Sequence, residues 1–475
     1  LVAITTASGY RQSVEYDGSN RLLKVTAPYS GRSLEFGYST SPVTPTRIET
    51  MTVQPAGDLY SFGYDSEGNL VTVTYPDETP GDSQDNPVRT YHYAEPGLVV
   101  DNTYPHLLTG ITDENGTDPQ GQRYATWQYD EFARAILSRH GADAETFELD
   151  YGAGGTTVTS PKGREFDYVF SMEHNVRRFA SVSGGYCPEC GLRAQSQTYD
   201  ANGSPNVVTD FEGNVTDYDY DADGLERVRV EAYGTALARR IETDWNTSIR
   251  QRSEVRTYSD AAGSALVRKV TFAYNNGRLA ARTETDPTGG GVSRTTTYAW
   301  YGDTGGDPAA LTGLLKSVDG PRTDVADVTT FAYYTDNTAD HRVGDLHTVT
   351  NALSQVTEYT AYDLHGRPLA MKDPNDVVTT FAWHPRGWLR MVETAGKSTE
   401  IQYDDVGQVT KVITPEGDFL AYHHDVARRL DRIEAGSGIT VSETIEISPD
   451  AFGNAEVTAY KDASGATKRT VTRIY

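Results

Sequence analysis

A turn motif repeated in step constrains this chain more than any other feature. Asp is followed three residues later by Gly in 13 places, whereas 40 Asp and 44 Gly scattered over 475 positions would give about 4. An aromatic residue often precedes the unit. Examples are Tyr64-Asp65-Ser66-Glu67-Gly68, Tyr199-Asp200-Ala201-Asn202-Gly203, Tyr220-Asp221-Ala222-Asp223-Gly224, Tyr362-Asp363-Leu364-His365-Gly366 and Tyr403-Asp404-Asp405-Val406-Gly407. Asp at the first position of a type I turn can hydrogen-bond the backbone two residues on, and Gly at the fourth accepts positive φ. Such a turn with a glycine bulge is a common hairpin connection. From Asp363 the turns follow at Asp373, His384, Thr394, Asp404, Thr414 and His424, in steps of 10 or 11 residues. Asp200, Asp210 (with Gly213) and Asp221 keep the same step.

Each step holds one turn and one strand, and two steps make a hairpin of about 20 residues. Between turns the residues alternate or are β-branched, as in Val377-Val378-Thr379-Thr380-Phe381-Ala382-Trp383. That is the pattern of half-buried strands. No segment of 12 or more residues shows helical periodicity. An isolated hairpin is marginal in water, so stability must come from stacking hairpins into a continuous sheet. The aromatics Tyr64, Tyr199, Tyr220, Tyr362, Trp383 and Tyr403 close their strands. With 31 Tyr against 13 Phe, the expectation is a partly wet face where rings pack and hydroxyls stay hydrated. The fold class is therefore all-β.

Charge removes several functions. The net charge of −25 argues against a general nucleic-acid binder and against docking on anionic lipid. No apolar run approaches the roughly 18–20 residues of a helical membrane span. The chain starts at Leu1 without a signal peptide and ends in a strand-like run, so it is expected to be a piece of a longer polypeptide.

The Tyr-Asp-x-x-Gly units, with partners such as Thr209-Asp210-Phe211-Glu212-Gly213-Asn214, resemble the YD-repeat, or RHS-repeat, family. The resemblance is clear over 190–460 and looser over 1–190, where Tyr16-Asp17, Tyr64-Asp65 and Tyr129-Asp130 carry it. It implies one long antiparallel sheet of hairpins winding spirally into a shell or partial shell. Members include bacterial polymorphic toxins, the encapsulating parts of insecticidal toxin complexes, and teneurin adhesion receptors. In the toxins the shell encloses a C-terminal toxic segment and is often closed by a self-cleaving core. Asp286-Pro287 and Asp373-Pro374 sit inside ordinary turns here, so neither that core nor a toxin is expected in this chain. The expected organisation is one continuous array: a less regular 1–190 with a surface insertion near 76–90, then a regular 190–475. Gly302 to Ala310 reads as a second insertion.

Other candidate sites have bland readings beside the sharp ones. Cys187-Pro188-Glu189-Cys190 is the one cysteine pair. It suits a disulfide-closed turn, an inert loop or half a zinc site, but no second pair supplies four ligands. Asp219, Asp221 and Asp223 alternate before Gly224 like the start of a calcium loop, although the twelfth position is Val230 rather than an acid. They also read as overlapping repeat units. His423-His424 reads as a drifted repeat. There is no nucleophile elbow, no His-Glu-x-x-His and no phosphate loop, so no enzyme class and no cofactor beyond calcium is suggested.

Two functions follow as expectations. The first is a non-catalytic wall enclosing a toxin or cargo segment of the parent polypeptide, secreted or exported by a specialised system. The second is an extracellular adhesion module recognising a cell-surface glycan or protein.

Overall fold

The Asp-x-x-Gly unit closes on itself before it joins anything else. In a computed structural model describing residues 2–6, 9–40, 46–79, 85–101, 103–115, 123–185 and 194–474, Asp65 Oδ1 accepts the backbone N–H of Glu67 and of Asn69, at 3.0 and 2.8 Å. The Asp65 carbonyl accepts the Gly68 N–H at 3.1 Å, with Gly68 at φ 82°. The same pair of side-chain bonds recurs at Asp200, Asp210, Asp221, Asp363 and Asp404. Where Gly is replaced, the residue still takes positive φ, as at Asn20, Ala133, Asp376 and Arg428. The turn expected at His424 starts one residue later. Asp425 Oδ1 accepts the N–H groups of Ala427 and Arg429, and His424 ends the strand in the aromatic's place.

Among the described residues thirty-eight strands follow one another, and each pairs antiparallel with its neighbours in sequence from Ala3–Thr5 to Thr467–Thr472. The first and last strands do not pair with each other, so the sheet is not a closed barrel. No α-helix occurs among the described residues; two 3₁₀ turns, Gly141–Asp143 and Ala309–Leu311, sit in loops.

A meander places its loops alternately on two rims. The Tyr-Asp turns at Asp17, Asp65, Asp130, Asp200, Asp221, Asp363 and Asp404 all fall on one rim, the YD rim. The turns at Asp210, Asp373 and Thr414 fall on the other, the plain rim. On the YD rim the ladder shifts register at the strand-end aromatic, as between Gly63 and Tyr64, Ala382 and Trp383, and Gln402 and Tyr403. The bulge swings the side chain back over the preceding strand. Tyr64, Tyr362 and Tyr403 donate their hydroxyls to the carbonyls of Ile48, Leu346 and Leu389, each the first residue of that strand. Tyr199 reaches Phe179, and Trp383 Nε1 donates to Pro368 in the same way. This corrects the expectation of hydrated hydroxyls: they are consumed as internal donors, and burial pushes the Tyr64, Tyr362 and Tyr403 phenols up. Tyr220 instead stacks on Tyr218, with ring centroids 6.4 Å apart.

The sheet is a wall rather than a globule. A compact monomer of this mass exposes about 17,500 Å², whereas this chain exposes 26196 Å². Among the described residues few apolar side chains are fully buried, and a compact cluster forms where Phe166 and Val182 meet Tyr168, Phe179, Phe211 and Phe452.

Two glycine substitutions separate backbone strain from contact. Gly213 sits at φ 83° with open space around a virtual Cβ, so Gly213→Val should cost roughly 1–3 kcal/mol from backbone strain alone. At Gly407, φ 92°, a Cβ would also stand 2.6 Å from the Trp388 ring. Gly407→Val should therefore destabilise more, read as the larger drop in denaturation midpoint. Equal losses would sink this account of the turn.

Candidate functional site: the seam between successive turns

Side chains far apart in sequence meet along one line. Arg32 forks onto Asp345 with bonds of 2.6 and 2.9 Å and also donates to the Leu364 carbonyl at 3.1 Å. Asn337 donates to the Tyr29 carbonyl at 2.8 Å. His365 pairs with Asp58 at 2.6 Å, and Arg390 with Glu78 at 2.8 Å. Arg386 pairs with Glu114 at 3.1 Å, Asn115 donates to Asp404 at 3.0 Å, and Arg428 to Asp113 at 3.0 Å. Lys162 pairs with Asp450 at 2.7 Å, and the Phe147 and Phe452 rings lie 6.2 Å apart. For the hydrogen-bonded pairs the sequence separations run from 272 to 332 residues.

These contacts have a parity. Every earlier partner, from Tyr29 to Lys162, lies on the plain rim; every later one, from Asn337 to Phe452, lies on the YD rim. One rim of the first turn thus docks on the opposite rim of the second, which is the geometry of a spiral. Counting strands, partners sit 21 to 25 strands apart. At about 4.8 Å per strand, a turn of that length is roughly 110 Å around and about 35 Å across. Barrels of 16–18 strands already enclose water, so the spiral surrounds a lumen.

No backbone–backbone hydrogen bond crosses the seam among the described residues; it is held by side chains. Two acids there are the most buried charges among the described residues. The Glu114 side chain is 0% exposed and meets both Arg89 and Arg386 at 3.1 Å; Asp113 is 2% exposed. Arg386 stacks 4.1 Å from the Tyr75 ring and 4.6 Å from Trp388, and Arg428 3.9 Å from Tyr124. Burial pushes Asp450 up, but Lys162 and the turn's N–H donors outweigh it and hold its carboxyl below the usual range. The turns approach closely enough that a Cβ on Gly141 would stand 2.6 Å from the Val426 carbonyl oxygen.

The sequence-expected residues divide clearly. Asp363, Gly366, Asp404 and Gly407 lie on the part of the YD rim that enters the seam, where Arg32 approaches Gly366 and Asn115 reaches Asp404. Asp65, Gly68, Asp200, Gly203, Asp221 and Gly224 lie on the YD rim outside it, and Asp210 and Gly213 on the plain rim. Asp219, Asp221 and Asp223 do not gather as a metal cluster. Asp221 Oδ1 serves its own turn, and no group of three or more His, Cys, Asp or Glu suited to a metal occurs among the described residues. Cys187 and Cys190 lie outside the described residues. Within the described part of the insertion near 76–90, Glu78 binds Arg390 across the seam. In the segment from Gly302 to Ala310 and just beyond, Asp303 pairs with Arg278, and Leu311 is buried. Sequence reasoning missed the seam partners Arg32, Asp113, Glu114, Arg386 and Arg428. Their one local trace is that several stand inside or beside turns, where a charge is ordinarily solvated.

With this geometry in hand, the comparisons are informative. The Teneurin YD-shell family model matches residues 3–178. The crystal structure of TcdB2-TccC3 without its hypervariable C-terminal region matches at 13% identity with a TM-score of 0.55, covering 97% of this chain and 26% of that one. The TcdB2-TccC3-TEV structure gives 13% identity and a TM-score of 0.49, also over 97% and 26%. The Photorhabdus luminescens Tc holotoxin pore gives 14% and 0.43, over 98% and 22%. This chain therefore spans about a quarter of the length of the solved chains it matches. No curated protein matches it. Residues 3–178 are thus similar to the Teneurin YD-shell, and the sheet as a whole shares its fold with the TcdB2-TccC3 chain.

Arg386→Ala should cost about 1.5–3 kcal/mol, because it strips a charged hydrogen bond from buried Glu114. Arg322→Ala, which removes an exposed pair with Asp324, should cost far less, because water already solvates both charges. Chemical denaturation of both variants checks this, and equal losses would contradict a seam held by its buried acids.

Proposed function

We propose that this chain is a stretch of non-catalytic wall that winds around, and shields, a polypeptide cargo belonging to the same parent protein. The observation that carries this is the seam. A ribbon whose opposite rims are matched over at least nine loop pairs is built to make a continuous curved wall, and its width leaves a lumen. The large exposed area supports a two-faced sheet. The fold-level likeness to a toxin shell, and the hypervariable C-terminal region named for TcdB2-TccC3, support a cargo at the C-terminal side. Shielding is steric: a protease cannot pass hydrogen-bonded strands 4.7–4.9 Å apart. Export from the producing cell fits this role. No helix among the described residues is long and apolar enough to cross a membrane.

A second reading, extracellular adhesion to a glycan or protein, is favoured by the teneurin match over 3–178. Binding of the labelled chain to intact cells, competed by unlabelled chain, would support it.

The test of the container uses the parent polypeptide with the segment that follows Tyr475. That segment should resist protease far longer than the same segment alone. Arg386→Ala combined with Arg428→Ala, which loosens two seam contacts, should shorten the protection. Digestion at the free-segment rate in the unaltered polypeptide would end the container reading.

A further inference from the structure

On the YD rim the seam turns at Asp363, Asp404, Asp425 and Asp450 each use a carboxylate as their internal acceptor, but the one at His384 does not. In His384-Pro385-Arg386-Gly387 the acceptor is an imidazole: His384 Nδ1 takes the Arg386 backbone N–H at 3.0 Å, as Asp Oδ1 does elsewhere. The closing bonds are otherwise the same, with Gly387 N–H to the His384 carbonyl and His384 N–H to the Trp388 carbonyl, both at 2.8 Å. Nδ1 accepts, so the ring is neutral with its proton on Nε2. The ring is 13% exposed and stacks 4.4 Å from Trp388.

This turn presents Arg386 to Glu114 and Tyr75, and its strand presents Arg390 to Glu78. The charged surroundings come from four loops. Arg386 and Arg390 belong to the turn and its following strand; Arg367, from the preceding YD-rim turn, donates to the His384 carbonyl at 2.8 Å. Asp77 and Glu78 belong to the first-turn loop, with Glu78 3.9 Å from Nε2. Asp404 and Asp405, from the next turn, line the same pocket of about 540 Å³.

We propose that His384 is an acid-sensitive latch of the seam: protonating Nδ1 destroys the turn's acceptor, withdraws Arg386 and Arg390, and opens the wall between residues 75–79 and 384–390. This rests on the wall reading above and adds its regulation. Burial, reinforced by Arg386 and Arg390, pushes the imidazole down to about 4. The ordinary histidine value is about 6.5. The sign follows. The opened state takes up the proton first as pH falls below the ordinary value, so the closed seam weakens progressively toward the depressed value.

The neighbouring clamp has the opposite sign. A hydrogen bond with Asp363 raises His365, whose pairing with Asp58 is kept in acid and lost as pH rises through that raised value. Acid therefore opens a window in one sector and leaves the adjacent one shut. The sheet itself is untouched, because its ladder does not cross the seam.

Hydrogen exchange read by mass spectrometry on this chain alone tests the latch without any cargo, so its failure is separate from failure of the container. Between pH 7.5 and 5, after correction for intrinsic rates, segments 75–79 and 384–390 should lose protection on the order of tenfold, while 58–64 should not. His384→Asp or His384→Asn, acceptors that do not titrate in this range, should abolish the change; Asn351 already fills this role in its own turn. Two substitutions are specified so that a folding failure in one leaves the other. An unchanged pH response in either folded variant, or no local response in the parent, overturns the proposal.

Discussion

A carboxylate oxygen that accepts two backbone N–H groups is the small interaction on which the rest of this structure depends. It closes a hairpin turn in a fixed number of residues, and from Leu346 to His424 every strand has five to seven residues. Equal strands keep the two rims of the ribbon parallel. Parallel rims can meet along a line when the ribbon curls, and only then can loops about 300 residues apart find partners in order. Irregular strand lengths would scatter the loops and leave no seam.

The two rims do different work. On the YD rim a bulge turns closing aromatics such as Tyr64, Trp383 and Tyr403 back over the neighbouring strand, where each donates to a strand-start carbonyl. Tyr and Trp serve because each combines a packing ring with one donor; Phe lacks the donor. The rim so stiffened is the one whose turns enter the seam from the second turn of the spiral. The plain rim receives it with acids that are almost fully removed from water. Buried charges without partners would be prohibitively unfavourable, so Asp113 makes sense only once Arg428 arrives from far along the chain, and Glu114, already held by Arg89, is completed there by Arg386. The seam is therefore polar and breakable, in contrast to the sheet's backbone ladder.

Much of the fold was legible because its causes are local. Asp65 and Gly68 announce a turn wherever they stand, and the step between turns announces a strand. The register error at His424 shows the limit: Arg428 occupies the left-handed position that Gly usually fills, so Asp425 carried no visible signature. The tyrosine hydroxyls were misjudged for a related reason. Their acceptor is a backbone carbonyl on the neighbouring strand, selected by the bulge rather than by any residue type.

The sequence by itself determined that this chain is a meander of hairpins, where its turns lie, and that its surface is acidic. Turn and strand propensities act within a few residues, so they are written in the order of the chain. The tertiary structure alone decided how tightly the ribbon curls, which rim faces which, and which of many charges are buried. Those outcomes depend on twist summed over more than twenty strands, and a small angle at each strand moves a loop by many ångströms at the end of a turn. Arg32 and Asp345 are ordinary loop residues until that sum brings them within 2.6 Å.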